Sequence, residues 1–274
     1  MQEWIDTITV IVQSELVKSS VGSAVAWLKD CYRGHPSKAQ ENASKRAGDF
    51  LGILDTKIRE LDCDEKELKE ISKAALEDPE FTSRFQDALL TASKTDNTNK
   101  HHLLATLILE RMQGDCESSH AIALKTAQAS IPTLSSTQIQ LLGFYYLMSN
   151  WGTVCQPSGT SDLATELKKA IEVNWAPYQE LIVDITHDDT LHLDSLGLIN
   201  VTGKWAGEGL ATLMKPWNNF NKLTESELTE LREQLINDLD RELKFLSLTE
   251  KCSRQLLPSG KIIGEIVFNQ LKFK

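Results

Sequence analysis

The chain has 274 residues, 41% of them hydrophobic and 25% charged. That composition excludes a wholly disordered or fibrous chain, and the length suits one large domain or two small ones. Net charge is −10, from 29 basic and 39 acidic residues, which disfavours non-specific attachment to nucleic acid or anionic lipid.

The most apolar stretch, Trp4 to Leu28, is interrupted by Asp6, Glu15 and Lys18. A membrane-spanning helix wants roughly 20 predominantly apolar residues, so none is expected. The first six residues, Met1 to Asp6, are acidic where a secretory leader begins basic. The expected compartment is the cytoplasm, without membrane attachment. Cys31, Cys63, Cys116, Cys155 and Cys252 are odd in number and far apart, with no C-x-x-C. Reduced thiols packed as small hydrophobes are expected, not a disulfide framework or a zinc knuckle.

Helical spacing dominates the chain. Trp4, Ile8, Ile11, Val12 and Leu16, then Val21, Ala24, Val25 and Leu28, step by three and four. Gly34-His35-Pro36-Ser37 ends this segment, residues 1–36. After a polar stretch, Lys38 to Arg46, the stripe resumes at Phe50, Ile53, Leu54, Ile58 and Leu61. Leu68, Ile71 and Ala75 extend it beyond a turn at Asp62–Asp64. Asp78-Pro79-Glu80 has the chemistry of a helix start, with Phe81, Phe85 and Leu89 on one face. Thr95-Asp96-Asn97 caps the next helix, which buries Leu103, Leu104, Leu107, Ile108 and Met112 and should stop at a left-handed Gly114. Helices over about 118–130 and 136–149 follow, the second opened by Ser135 or Ser136. Apolar on nearly every side, that second helix should be the buried centre of a bundle over 37–150.

Trp151 to Ser161 holds two glycines, a proline and small polar residues, and is placed as a domain boundary. A C-terminal domain, 160–274, opens with a long amphipathic segment in which Pro177 should cause a kink or break near Ala176. Two short extended pieces, one within Leu193–Gly203 and one entering a helix at Pro258-Ser259, can pair as a ribbon of the winged-helix kind. Between them Thr224 and Glu227 form a capping box ahead of Leu228, Leu231, Leu235, Leu239 and Leu243. The fold class is therefore mainly α: a multi-helix bundle with a small winged-helix-like β-ribbon in the C-terminal part.

His187-Asp188-Asp189 with His192 is the densest titratable cluster. As metal chemistry of the phosphohydrolase type it lacks an earlier histidine at a suitable spacing, since His120 lies 67 residues before. A turn at a helix C-terminus accounts for the same residues. His101 and His102 are neighbours on a helix and point about 100° apart, which does not suit one metal. Gly203-Lys204-Trp205-Ala206-Gly207-Glu208-Gly209 departs from a phosphate loop in its lysine position and in Glu208. Neither G-x-S-x-G nor H-E-x-x-H occurs. No residue is assigned as catalytic, cofactor-binding or metal-ligating, and no cofactor is expected.

Contact residues are the better prospects. Trp205 and Trp217 lie in polar surroundings, and Phe220 follows closely. Residues 224–240 carry six acids, Glu230 and Glu233 among them, against Arg232, net −5. Residues 241–274 carry seven bases against three acids, net +4. Trp205, Trp217, Phe220, Glu230 and Glu233 are thus the candidate interaction residues, for a protein partner or for self-association as a homo-oligomer.

Two stretches carry a resemblance. One runs from Asp78-Pro-Glu-Phe through Lys100-His-His-Leu-Leu-Ala and Glu110-Arg to Thr133-Leu-Ser-Ser-Thr-Gln-Ile-Gln-Leu-Leu-Gly143. The other is Leu193-Asp-Ser-Leu-Gly-Leu-Ile with Leu257-Pro-Ser-Gly-Lys-Ile-Ile-Gly264. Together they resemble an uncharacterised bacterial all-helical family known only by locus tags. More loosely they are similar to Abi-alpha-type abortive-infection proteins, with Leu-Pro-Ser-Gly a partial match to the tail motif. The resemblance implies a helical fold and a place in bacterial anti-phage defence, and it brings no catalytic residue. Three functions compete: a non-enzymatic cytosolic interaction component, a metal-dependent hydrolase using the His187/Asp188 cluster, and a DNA-binding regulator through the C-terminal module, which the acidic stretch opposes.

Overall fold

A computed structural model describes residues 24–61, 64–114, 118–150, 173, 178, 185–200 and 255–272. Among them the protein is helical apart from one small antiparallel ribbon. No described helix is long and apolar enough to cross a membrane. The chain divides into two compact units, Met1–Thr133 and Leu134–Lys274. Residues 151–161, read from sequence as the boundary, lie outside the described residues, as does the break expected at Pro177.

In the first unit, helical residues 24–31 bury Ala24, Val25 and Leu28. The turn that follows depends on Gly34 at φ 91°, a left-handed conformation suited to glycine. Helix α1 then runs Ser37–Arg59. The polar residues 38–46 are its opening turns, and Phe50, Leu51, Leu54 and Ile58 form its buried stripe. Helix α2, Glu65–Glu77, is capped by Asp64, whose carboxylate accepts from the Glu67 N–H at 2.8 Å.

Helix α3, Pro79–Lys94, starts as its sequence dictates. The Asp78 carboxylate accepts from the Glu80 N–H at 2.9 Å, and Pro79 occupies the first turn, where its missing N–H is no loss. Phe81 and Phe85 stack with ring centroids 6.4 Å apart. Helix α4, Thr98–Gln113, is capped by Asn97 and packs against both α1 and α3. Leu103, Leu104, Leu107 and Ile108 are at most 1% exposed. Gly114 does terminate α4, but in an extended conformation, φ −102° and ψ 159°, and not in the left-handed one expected. Helix α5, Ser119–Ser130, is capped by Ser118 and passes into a 3-10 turn, Ile131–Thr133.

The second unit is built on helix α6, Ser136–Ser149. Ile139, Leu141, Leu142, Phe144, Tyr145 and Leu147 are buried on nearly all its sides. Helix α7 spans His187–Ser195. Its last turn closes on Gly197 at φ 66°, with the Leu198 N–H donating to the Leu193 carbonyl and the Gly197 N–H to that of Asp194. This double closure is a Schellman motif, and Leu193 and Leu198 supply its buried apolar contact.

The ribbon pairs β1, Ile199–Asn200, with β2, Gln255–Leu256. Ile199 faces Leu256 and Asn200 faces Gln255. Helix α8, Pro258–Lys272, leaves the ribbon and packs along α6. Both expected extended pieces therefore pair, and the helix begins at the expected proline. At the α6–α8 contact a Cβ on Gly143 would stand 2.7 Å from Val267 Cγ1, and one on Gly264 would stand 2.5 Å from the Leu142 carbonyl oxygen. The two backbones can approach this closely only because these positions lack side chains.

Candidate functional site

The cluster at 187–192 lies in α7, beside the start of α6. His187, Asp188 and Asp189 form the first turn of α7, which corrects their assignment to a helix C-terminus. Thr186 is the N-cap. The Asp189 N–H donates to Thr186 Oγ1 at 3.3 Å. In return Asp189 Oδ2 accepts from the Thr186 N–H at 2.9 Å and its hydroxyl at 2.8 Å. An aspartate here does the work usually given to glutamate or glutamine in a capping box. The position is also favourable for negative charge, since the helix N-terminus carries the positive end of the dipole.

Helix α6 begins with its own capping box. The Gln138 N–H donates to Ser135 Oγ at 3.1 Å, and Gln138 Oε1 accepts from the Ser135 N–H at 3.0 Å. The two boxes are joined through their third residues: Gln138 Nε2 donates to Asp189 Oδ1 at 3.0 Å. One turn on, His192 Nδ1 lies 3.1 Å from Gln138 Oε1. The amide orientation follows from its partners, because Ser135 N–H needs an acceptor and Asp189 needs a donor. His192 Nδ1 must then donate, which leaves Nε2 as the acceptor nitrogen of the neutral ring. Burial pushes the Asp189 carboxyl up, but hydrogen bonds from Thr186 and Gln138, with His192 nearby, outweigh it and hold it below the ordinary range.

A carboxamide links carboxylate to imidazole here. It fixes the ring's orientation, yet it cannot take up a proton or carry the charge that stabilises an imidazolium. The arrangement therefore locks two helix starts together better than it moves protons. Among the described residues no three His, Cys, Asp or Glu side chains are grouped to hold a metal ion. His101 is buried, its Nε2 3.1 Å from the Ala92 carbonyl and 3.0 Å from that of Thr95. His120 Nε2 lies 3.6 Å from Glu110 Oε2 at the surface.

Thr186 was not picked out from sequence, and Gln138 entered only as part of the stretch that carries the resemblance. Their signal was present as two Ser/Thr-x-x-Gln/Asp spacings, Ser135 to Gln138 and Thr186 to Asp189. The candidate contact residues Trp205, Trp217, Phe220, Glu230 and Glu233 lie outside the described residues. So do Cys63, Cys116, Cys155 and Cys252. Cys31 is described and is an exposed free thiol, a correction to the packed role expected for it. It follows the last buried residue of its helical segment, Leu28, by three positions and has turned to solvent.

No curated protein and no solved structure matches the chain. A family model matches residues 20–261, most of the chain's length, and the chain accordingly belongs to that uncharacterised family.

Proposed function

We propose that this chain is a non-enzymatic protein-interaction component acting in the cytoplasm, and that its setting is bacterial anti-phage defence. One observation carries the first part: Asp189 and His192, of the titratable cluster read from sequence, are bound up with Gln138 and Thr186 in the caps of α6 and α7. Polar residues with that duty support a scaffold. Contact chemistry then falls to Trp205, Trp217, Phe220, Glu230 and Glu233, read from sequence. Defence rests on the resemblance to Abi-alpha-type proteins alone.

Deletion of the coding sequence tests the setting, with phage plating as the readout. Increased plating on the deleted strain is expected, and unchanged plating would remove the defence role. Metal analysis and phosphoester assays test the scaffold against the hydrolase alternative. Neither bound transition metal nor turnover after Mn²⁺ addition is expected. Turnover that disappears in His192→Ala would replace the scaffold with an enzyme.

A further inference from the structure

Three helices of the first unit converge on Glu80. Arg84 lies one turn further along α3, Arg111 comes from α4 and Lys125 from α5. With Leu107, Leu124 and Gln128 they line a shallow surface depression. The Arg111 side chain is only 7% exposed, and the Gln128 amide donates to the Arg84 carbonyl at 2.7 Å, tying α5 to α3.

The ionic distances here are long. Lys125 Nζ stands 3.3 Å and Arg84 Nε 3.9 Å from Glu80 Oε1, and Arg111 Nη2 stands 3.7 Å from Glu80 Oε2. Charge-assisted N–H···O contacts settle at roughly 2.7–2.9 Å. One carboxylate is thus shared among three cations and meets none of them at that distance. Arg84 Nε is buried with no hydrogen-bond partner among the described residues. Asp78 takes Arg111 at 3.2 Å, and Asp87 stands 3.8 Å from Arg84 Nη1.

The geometry points to an oxyanion subsite for a phosphate monoester, received by Arg84, Arg111 and Lys125, with Glu80 as its displaceable internal occupant. A tetrahedral phosphate offers three oxygens where the carboxylate offers two, one for each cation. The Glu80 side chain is 42% exposed, so its carboxylate already reaches solvent. With Glu80 displaced, the three bases outnumber Asp78 and Asp87 by one, a local excess that the acidic chain as a whole does not provide. Leu107 and Leu124 give an apolar wall to the group that bears the phosphate. This subsite does not depend on the scaffold proposal.

Inorganic phosphate is the probe, titrated into the full chain by calorimetry and thermal shift against sodium chloride of matched ionic strength. Wild type should respond to phosphate beyond chloride. Glu80→Gln should tighten phosphate about threefold, the scale of one partly exposed charge removed. Arg84→Gln should abolish the phosphate-specific response in both backgrounds. Phosphate no better than chloride, or a response retained in Arg84→Gln, overturns the subsite. Should Glu80→Gln not fold, Lys125→Met in the wild-type background decides: loss of the response supports the subsite, and an unchanged response overturns it.

Discussion

Asp189 accepts hydrogen bonds from the Thr186 N–H and hydroxyl and from the Gln138 amide, and its carboxyl is held below the ordinary range. A carboxyl with a lower pKa folded than unfolded stabilises the fold above the unfolded value and loses that contribution as pH falls through the folded one. Asp189→Asn should therefore lower the melting temperature more at neutral pH than at about pH 3, below the ordinary carboxylate value of roughly 4. Equal losses at both would show that the ionised form is not favoured. Thr186→Ala should cost about 1 kcal/mol, the usual value of an N-cap, measurable by urea denaturation. Tyr178 offers the opposite sign. It is fully buried, its hydroxyl has no hydrogen-bond partner among the described residues, and burial pushes its ionisation up. Tyr178→Phe should leave stability unchanged or raise it by about 1 kcal/mol. Individual caps were legible in the sequence, because Asp78, Asn97 and Ser135 act within three residues of themselves. The bond from Gln138 to Asp189 was not, since 51 residues separate them and no local pattern encodes that meeting.

Among the elements, α4 packs against both α1 and α3 and buries one face of four leucine and isoleucine side chains. Leu104 and Leu107 face the core, so Leu104→Ala or Leu107→Ala should each cost about 2–5 kcal/mol in denaturant unfolding. Unchanged midpoints in both would mean that α4 does not pack as described. In the second unit the decisive positions are glycines. Gly264→Ala would drive a methyl group against the Leu142 carbonyl, a backbone atom that cannot rotate away. A loss of about 1–3 kcal/mol is expected, the range for overpacking. Helix starts and buried stripes followed from spacing, and the ribbon from two short extended pieces. The direction of α7 did not. His-Asp-Asp suits either end of a helix by composition, and the deciding residue is Thr186, whose capping role depends on Asp189 reaching back. Gly114 shows the same limit: a glycine permits the left-handed stop without requiring it.

On the scale of the whole molecule, the glycine- and proline-rich break read from sequence at 151–161 lies outside the described residues, and the two compact units divide at Thr133 and Leu134. Pro132 sits there in a 3-10 turn that continues α5 with little change in composition. Contacts set such a division, and α6 belongs with α8 through glycines more than 100 residues apart. Self-association belongs to this scale too. Residues 224–240 at −5 and 241–274 at +4 can attract between copies, but exposed ion pairs contribute only about 0–1 kcal/mol each. Trp217 and Phe220 must then supply most of the affinity. Light scattering should report an oligomer that Trp217→Ala weakens more than charge reversal at Glu230 and Glu233. A monomer at every concentration would end self-association.

The most direct test of the interaction role is quantitative affinity capture of the tagged full chain from phage-infected cells, with wild type, Trp217→Ala and His192→Gln compared side by side. One partner in stoichiometric amount is expected with wild type and His192→Gln, and its loss with Trp217→Ala. Capture of no partner by wild type, or retention of the same partner by Trp217→Ala, would contradict it.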